Sequence, residues 1–219
     1  MDVLDQVEVR VVGSLIEKQI TTPEYYPLTL NALIHACNQT SNRHPVVAFD
    51  EKIVARALES LRDKRLIHVV IGSDARVRKY KEMLTQELSI SPAAVATLCV
   101  LMLRGPQTVG EIRGRTGRLY DFAELSDVEE TLQVLIDKSP PLVALLPRQA
   151  GHKDSRYAHL LAGDVQVEQT IIEPRPEPVM LKVRTENEKI VRLEEEVASL
   201  RQQLAELQQE FRDFKDQFS

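Results

Sequence analysis

The sequence predicts an α+β, mostly helical fold: two tandem winged-helix domains followed by a C-terminal coiled-coil helix. A helix followed by a two-stranded hairpin is readable over residues 49–80, and the same unit returns 74 residues later, as from Leu58 to Leu132. An apolar heptad repeat follows near the end of the chain, at 190–218. Because a period of this kind marks repeated structural units, the two copies predict two similar small domains.

The first unit centres on a helix predicted at 50–65, with Asp50 as its N-cap. One face of this helix is apolar at the i, i+4, i+7, i+8 spacing of a buried stripe. The residues of the stripe are Ile53, Val54, Ala57, Leu58 and Leu61. Residues 66–71 are apolar and β-branched, 72–74 have turn chemistry, and 77–80 are polar and basic, which predicts a hairpin.

Two further helices are predicted ahead of this unit, at 2–20 and 29–38. The loop at 21–27 contains two prolines, and a polar turn at 39–45 leads into the third helix. These elements complete a first domain that we place at residues 1–84.

The second domain, predicted at 85–163, repeats the same order of elements. Pro92 suits the first turn of its first helix, and residues 108–116 form a short second helix. A capping box at 126–129 is predicted to open the third helix, and a hairpin follows over 142–161.

A Pro-rich acidic linker is predicted at 164–183, because EPRPEP at 173–178 is typical of an extended segment. Residues 184–219 are predicted as a coiled-coil helix, since apolar residues alternate there in steps of three and four. The oligomerisation positions are Ile190, Leu193, Val197, Leu200, Leu204, Leu207, Phe211 and Phe214. The pattern predicts a homodimer, while docking of a lone amphipathic helix on its own domain and binding of a partner protein stay open.

The charge is unevenly distributed along the 219 residues. The net charge is −5, and residues 162–219 hold 8 Lys/Arg against 13 Asp/Glu, which leaves 20 of each for residues 1–161. DNA binding would therefore depend on a local patch. The N-terminus lacks a signal-peptide core, no apolar run is long enough for a membrane span, and Cys37 and Cys99 are expected as buried reduced thiols. We expect a cytoplasmic protein with no membrane partner.

Winged helices usually bind DNA with the third helix in the major groove and the wing on phosphate, so polar and basic residues there are candidates. The residues predicted to face bases are Asn42, Arg43, Lys52 and Arg56, and those predicted to contact phosphates are Arg76, Arg78 and Lys79. The alternative is a solvated charged face with local ion pairs. The leading hypothesis is a regulator-like protein that binds double-stranded DNA through its first domain.

The third helix of the second domain has the opposite charge. Its charged residues are Glu124, Asp127, Glu129, Glu130 and Asp137 against Lys138. Phosphates would repel such a helix, so a protein partner is at least as reasonable for this domain. The competing hypothesis is a scaffold in which the tandem winged helices and the coil bind protein, as in the kleisin-binding subunit of bacterial condensin.

No pattern in the sequence indicates an enzyme. The five histidines are scattered, and His35 and Cys37 are too close in sequence to share a helix face as metal ligands. Nucleotide-binding glycine motifs and the nucleophile elbow are missing. GRTGR at 114–118 is better explained as a flexible turn than as an anion cradle. We therefore expect no catalysis, no cofactor and no metal.

Two stretches, YPLTLNALIHACNQTSNRHPVV at 26–47 and PPLVALLPRQAGHKDSRYAHLLAGD at 140–164, closely resemble the YceH-like family of bacterial proteins. With LRGPQTVGEIRGRTGRLYDF at 103–122, the resemblance covers roughly residues 3–164. It implies a tandem winged-helix fold and supplies no catalytic or binding residues. The predicted coil lies outside it, so oligomerisation rests on the heptads alone.

Overall fold

Three helices build the core of the N-terminal half. A computed structural model describes residues 2–71, 77–147 and 154–163, and in it these helices are α1 (Gln6–Thr21), α2 (Leu30–Cys37) and α3 (Glu51–Asp63). A 3-10 turn (Pro23–Tyr25) follows α1. Each helix begins where its N-cap side chain accepts a backbone N–H, as Asp50 Oδ1 does from Ile53 at 2.8 Å. The N-cap predicted for α3 is therefore confirmed.

Three short strands form an antiparallel sheet beside these helices. They are β1 (Leu28–Thr29), β2 (Ile67–Val70) and β3 (Lys79–Glu82), with β3 in the centre. Val69 pairs with Tyr80, and alternation along β3 places Lys79 and Lys81 on the face opposite to Tyr80 and Glu82. The hairpin was predicted from its pattern, whereas β1 was not, because two residues give no alternation to read.

The C-terminal half repeats this order. A short helix α4 (Leu84–Leu88) connects the halves, and α5 (Pro92–Arg104), α6 (Val109–Thr116) and α7 (Leu125–Ile136) precede the hairpin of β4 (Val143–Leu145) and β5 (Tyr157–His159). Gln107 takes the place of β1, since its N–H and C=O pair with those of Tyr157 at 3.0 and 2.7 Å. The described residues thus form a mixed α+β fold with two small antiparallel sheets.

The first helices of the two halves pack against each other. Gly13 of α1 allows this close approach, because a Cβ atom there would lie 3.0 Å from Leu103 Cδ2 of α5. The Cys99 thiol, which is completely buried, donates to the Gly13 carbonyl at 3.5 Å. Both halves consequently share one apolar core, and both lie in a single compact unit, Met1–Val167.

Two details differ from the sequence predictions. Ile53 is 41% exposed rather than buried, because Val54 and Ala57 face the core and Ile53 lies to one side of them on the first turn of α3. Helix α7 does not begin with a box at 126–129. Its N-cap is Glu124, whose N–H donates to Asp127 Oδ2 at 3.0 Å, so the box lies two residues earlier.

The predicted linker at 164–183 and coiled coil at 184–219 lie outside the described residues. Within the described ranges, no helix combines the length and the apolar character that a bilayer crossing requires.

Candidate nucleic-acid interface

The outer face of α3 carries two of the predicted contact residues. Lys52 and Arg56 are both exposed and lie one turn apart, so their side chains occupy the same face of the helix. Neither forms an ion pair within the part of the chain that the structure describes. Near the end of α3, by contrast, Arg62 lies 3.6 Å from Asp63. Lys52 and Arg56 therefore present uncompensated positive charge to solvent.

The β2–β3 hairpin carries further cations. Arg78, Lys79 and Lys81 are exposed, and the register places His68 directly opposite Lys81 on the same face of the sheet. These residues make one face of the hairpin basic. Arg76, the remaining predicted phosphate contact, lies outside the described residues.

Arg43 does not occupy the exposed position that base contact requires. It is only 6% exposed, and its Nη2 lies 2.6 Å from Glu17 Oε2 of α1. The same guanidinium donates to the Ala36 carbonyl at 2.9 and 3.2 Å. Through these partners, the buried guanidinium links the turn that contains Arg43 to α1 and α2. We therefore correct the assignment of Arg43 and leave it out of the surface.

Asn42 stays exposed next to it, with a left-handed backbone at φ 59°. This conformation is tolerated by Asn more readily than by most residues. The side-chain carbonyl of Asn42 accepts a hydrogen bond from the Arg104 guanidinium at the end of α5. The predicted base-facing residue is thus also a contact between the two halves.

A second buried cation lies beneath the same loop. Arg10 of α1 is 5% exposed and donates to the Pro45 carbonyl at 2.6 Å and to the Cys37 carbonyl at 3.3 Å. Burial lowers the pKa of Arg10, and the neighbouring charge of Arg43 lowers it further. Arg10 was not among the predicted functional residues. Its position in the valine-rich stretch VEVRVV could have predicted its burial, since a charge at a core position of a helix needs a buried partner.

Three cations of the second half are bonded to partners within the fold instead. Arg156 lies 2.8 Å from Glu111, Arg115 lies 3.6 Å from the same carboxylate, and Lys138 donates to the Leu88 carbonyl at 2.9 Å. On α7 the exposed residues include Glu129 and Glu130. The second half therefore presents an acidic helix where the first half presents a partly basic one.

The geometry gives little support for metal or thiol chemistry. Across residues 2–71, 77–147 and 154–163, no three His, Cys, Asp or Glu side chains are grouped as metal ligands. Burial raises the pKa of the Cys37 and Cys99 thiols, so both are held in the neutral form, which is a poor nucleophile and a poor metal ligand.

Comparison with known proteins decides the family. Residues 4–152 match the family described as "Protein of unknown function, DUF480". The chain belongs to this family. The resemblance to an uncharacterised bacterial family that the sequence analysis stated is thereby confirmed.

Relatives with the printed name UPF0502 protein cover most or all of this chain. A UPF0502 protein of Geotalea daltonii is 56% identical over 222 residues, covering 100% of both chains. One from Geotalea uraniireducens is 52% identical, covering 99% of this chain and 98% of its own. One from Opitutus terrae is 55% identical over 179 residues, covering 81% and 77%. The similarity therefore extends beyond residue 152 into the predicted linker and coil.

Proposed function

We propose that this DUF480 protein is a non-enzymatic, regulator-like protein of two tandem winged-helix domains that binds double-stranded DNA through the first domain, residues 1–84. In this proposal α3 enters the major groove with Lys52 and Arg56, and Arg78 and Lys79 contact phosphates, joined by Arg76. The observation that carries the proposal is the exposed positive charge of Lys52 and Arg56 on α3 and of Arg78 and Lys79 on the hairpin, none of which forms an ion pair within the described ranges.

The physical argument rests on counterion release. Each Lys or Arg that neutralises a phosphate releases bound counterions, which favours association in proportion to the number of contacts. A side chain already paired with a carboxylate would have to break that pair first. Lys52, Arg56, Lys79 and Arg78 are free of this cost among the described residues, whereas Arg156 and Arg115 of the second half are not.

The proposal includes a homodimer. The heptad positions from Ile190 to Phe214 are proposed to form the coiled coil, and the Pro-rich stretch at 164–183 the linker that joins it to the second domain at 85–163. Two first domains in one dimer would engage one duplex with higher avidity than a single copy.

The test is titration of a labelled duplex of about 30 bp at several salt concentrations, because a steep fall of log K with log salt counts the phosphates contacted. Reversal of Arg76, Arg78 and Lys79 to Glu together should abolish binding. As a matched single reversal, Arg56→Glu should weaken binding by about tenfold, while Arg118→Glu on the exposed surface of the second half should not. Unchanged affinity in the triple variant would refute the assignment.

The acidic α7 favours a second candidate, a scaffold that binds a protein partner through the second domain and the coil. Three apolar side chains are exposed on or near that helix: Leu125 at 47%, Val134 at 56% and Leu145 at 52%. The scaffold predicts no duplex binding at low salt, and loss of the partner set when 184–219 are deleted. An unaffected partner set in a pull-down would count against a role for the coil.

A further inference from the structure

The turn between α2 and α3 is held by the second half of the molecule. The His44 N–H donates to the Leu103 carbonyl of α5 at 2.9 Å. The guanidinium of Arg104, the last residue of α5, donates to the Asn42 side-chain carbonyl. Leu103 of α5 thus contacts His44 through backbone atoms, and Arg104 contacts Asn42 through side-chain atoms.

The first half also holds this turn. Arg10 donates to the Pro45 carbonyl at 2.6 Å, and Arg43 donates to the Asn42 carbonyl at 3.0 Å. At the neck of the loop, the Asn38 side chain exchanges two hydrogen bonds of 2.8 Å with the backbone of Phe49. The loop from 38 to 49 is therefore anchored at its base, along its inner side and at its tip.

Among the hydrogen bonds of this loop within the described residues, those at the tip reach α5. The neck bonds of Asn38 and the buried bonds of Arg10 and Arg43 lie within the first half, whereas the bonds of His44 and Asn42 cross to the second. Asn42, which accepts from Arg104 at this tip, has a left-handed backbone conformation that few residue types adopt.

We propose that Arg104 and Leu103 are positioning residues for the DNA-binding surface: the second half holds the α2–α3 turn of the first in the shape that the duplex meets. This inference rests on the proposed function. A loop ordered before binding costs less entropy when it docks, so the effect is on affinity rather than on the number of phosphates contacted. It also gives the second half a part in DNA binding that its acidic α7 could not supply by direct contact.

The experiment compares full-length variants in the same duplex titration. Arg104→Ala removes the donor, and Asn42→Gly removes the acceptor while still permitting the positive φ. The double variant joins both changes, and Arg104→Lys restores a cation that can donate to Asn42. Arg118→Ala is the matched control, because it removes one exposed cation of the second half away from the turn.

Arg104→Ala and Asn42→Gly are each expected to weaken duplex binding about fivefold, the scale of one ordinary hydrogen bond. The salt slope should stay that of the native protein, since no phosphate contact is lost. The double variant should be no weaker than either single one, and Arg104→Lys should recover most of the affinity.

Equal affinity of Arg104→Ala and the native protein would overturn the inference. So would a lower salt slope in Arg104→Ala, which would make Arg104 a direct phosphate contact, and so would additive losses in the double variant. If the native chain does not bind the duplex even at low salt, the proposed function itself fails. That outcome is separate from binding by the native chain with no effect of the Arg104 change.

Discussion

Helices α3 and α7 hold equivalent positions in the two halves and differ mainly on the surface. Leu61 and Leu135 are both completely buried at the same place in the repeat. On the outer face, Arg56 corresponds to Glu130 at the same spacing. Core packing tolerates few residue types, whereas an exposed position is constrained only by what it meets. The two helices therefore share their buried positions and differ in the charge of their outer surfaces.

Two equivalent lysines show that the halves also differ in a contact inside the fold. Lys64 and Lys138 follow α3 and α7, and each donates to a backbone carbonyl near the start of its half, Val3 at 3.0 Å and Leu88 at 2.9 Å. Within the described part of the chain, Lys64 alone of the two also meets a carboxylate, Glu8, at 2.7 Å. The lysine–carbonyl hydrogen bond is therefore common to both halves, whereas the lysine–carboxylate ion pair is found in the first half.

The strongest test of the common scaffold is to truncate the equivalent buried leucine in each half. Leu61→Ala and Leu135→Ala should each lower the free energy of unfolding by about 3 kcal/mol, because each leaves a cavity in a close-packed site. Since the halves share one core, both variants should shift a single thermal transition followed by circular dichroism. Leu125→Ala, at an exposed position, is the control. Two separate transitions would show that the halves unfold independently.

Substitution of Lys64 and of Lys138 tests how the buried contacts of the two halves differ in energy. Lys64→Met leaves the Glu8 carboxylate, 1% exposed, without its cation and should cost about 3 kcal/mol. Lys138→Met removes a hydrogen bond but strands no charge, so it should cost about 1 kcal/mol. Urea unfolding measures both. The double variant Glu8→Gln/Lys64→Met should be less destabilised than Lys64→Met alone, and equal losses for the two lysines would contradict this account.

Acid should act on the two halves in different pH windows. Burial lowers the pKa of His159 to about 4, and its Nδ1 has no hydrogen-bond partner in the described structure. The unfolded chain takes up a proton at this residue below about pH 6.5 and the folded chain does not, so stability falls by up to about 1 kcal/mol per pH unit from there to about pH 4. His159→Phe should remove this dependence, whereas His35→Phe, at an exposed site, should leave it.

The first half responds at lower pH. Burial would raise the pKa of Glu8, but hydrogen bonds from Lys64, Ser60 and the Asp5 backbone outweigh it, and the pKa is lowered. The stability that Glu8 contributes is therefore present above the carboxylate pKa of the unfolded chain and is lost as the pH falls through the folded value. The His159→Phe variant should keep this low-pH loss in urea unfolding curves, and Glu8→Gln should reduce it.

Most of the elements were predictable because their signals are local. The apolar spacing of α3 and α5 and the turn between two β-branched stretches can be read from a few consecutive residues. The 74-residue period then predicts that the order occurs twice. Helix α4 and strand β1 were missed, because each is too short for a period and is held by its tertiary partners.

The candidate surface was predictable only in part, for a related reason. Lys52 and Arg56 are exposed, as their place on the polar face of α3 predicts. Arg43 is a polar residue in a polar turn, and nothing local distinguishes it from its exposed neighbours. Its burial depends on Glu17, 26 residues earlier on another helix. A partner at that distance in sequence becomes visible only when α1 and the turn are packed together.

Gly13 and Cys99 meet where the first helices of the two halves are in contact. Each of these residues lies eight positions after the N-cap of its helix, Asp5 for α1 and Ser91 for α5. Equivalent positions meet each other in this way at the axis of a symmetric dimer. Here both partners belong to one polypeptide, so their association is intramolecular, and dilution that would separate two half-length chains leaves this interface intact.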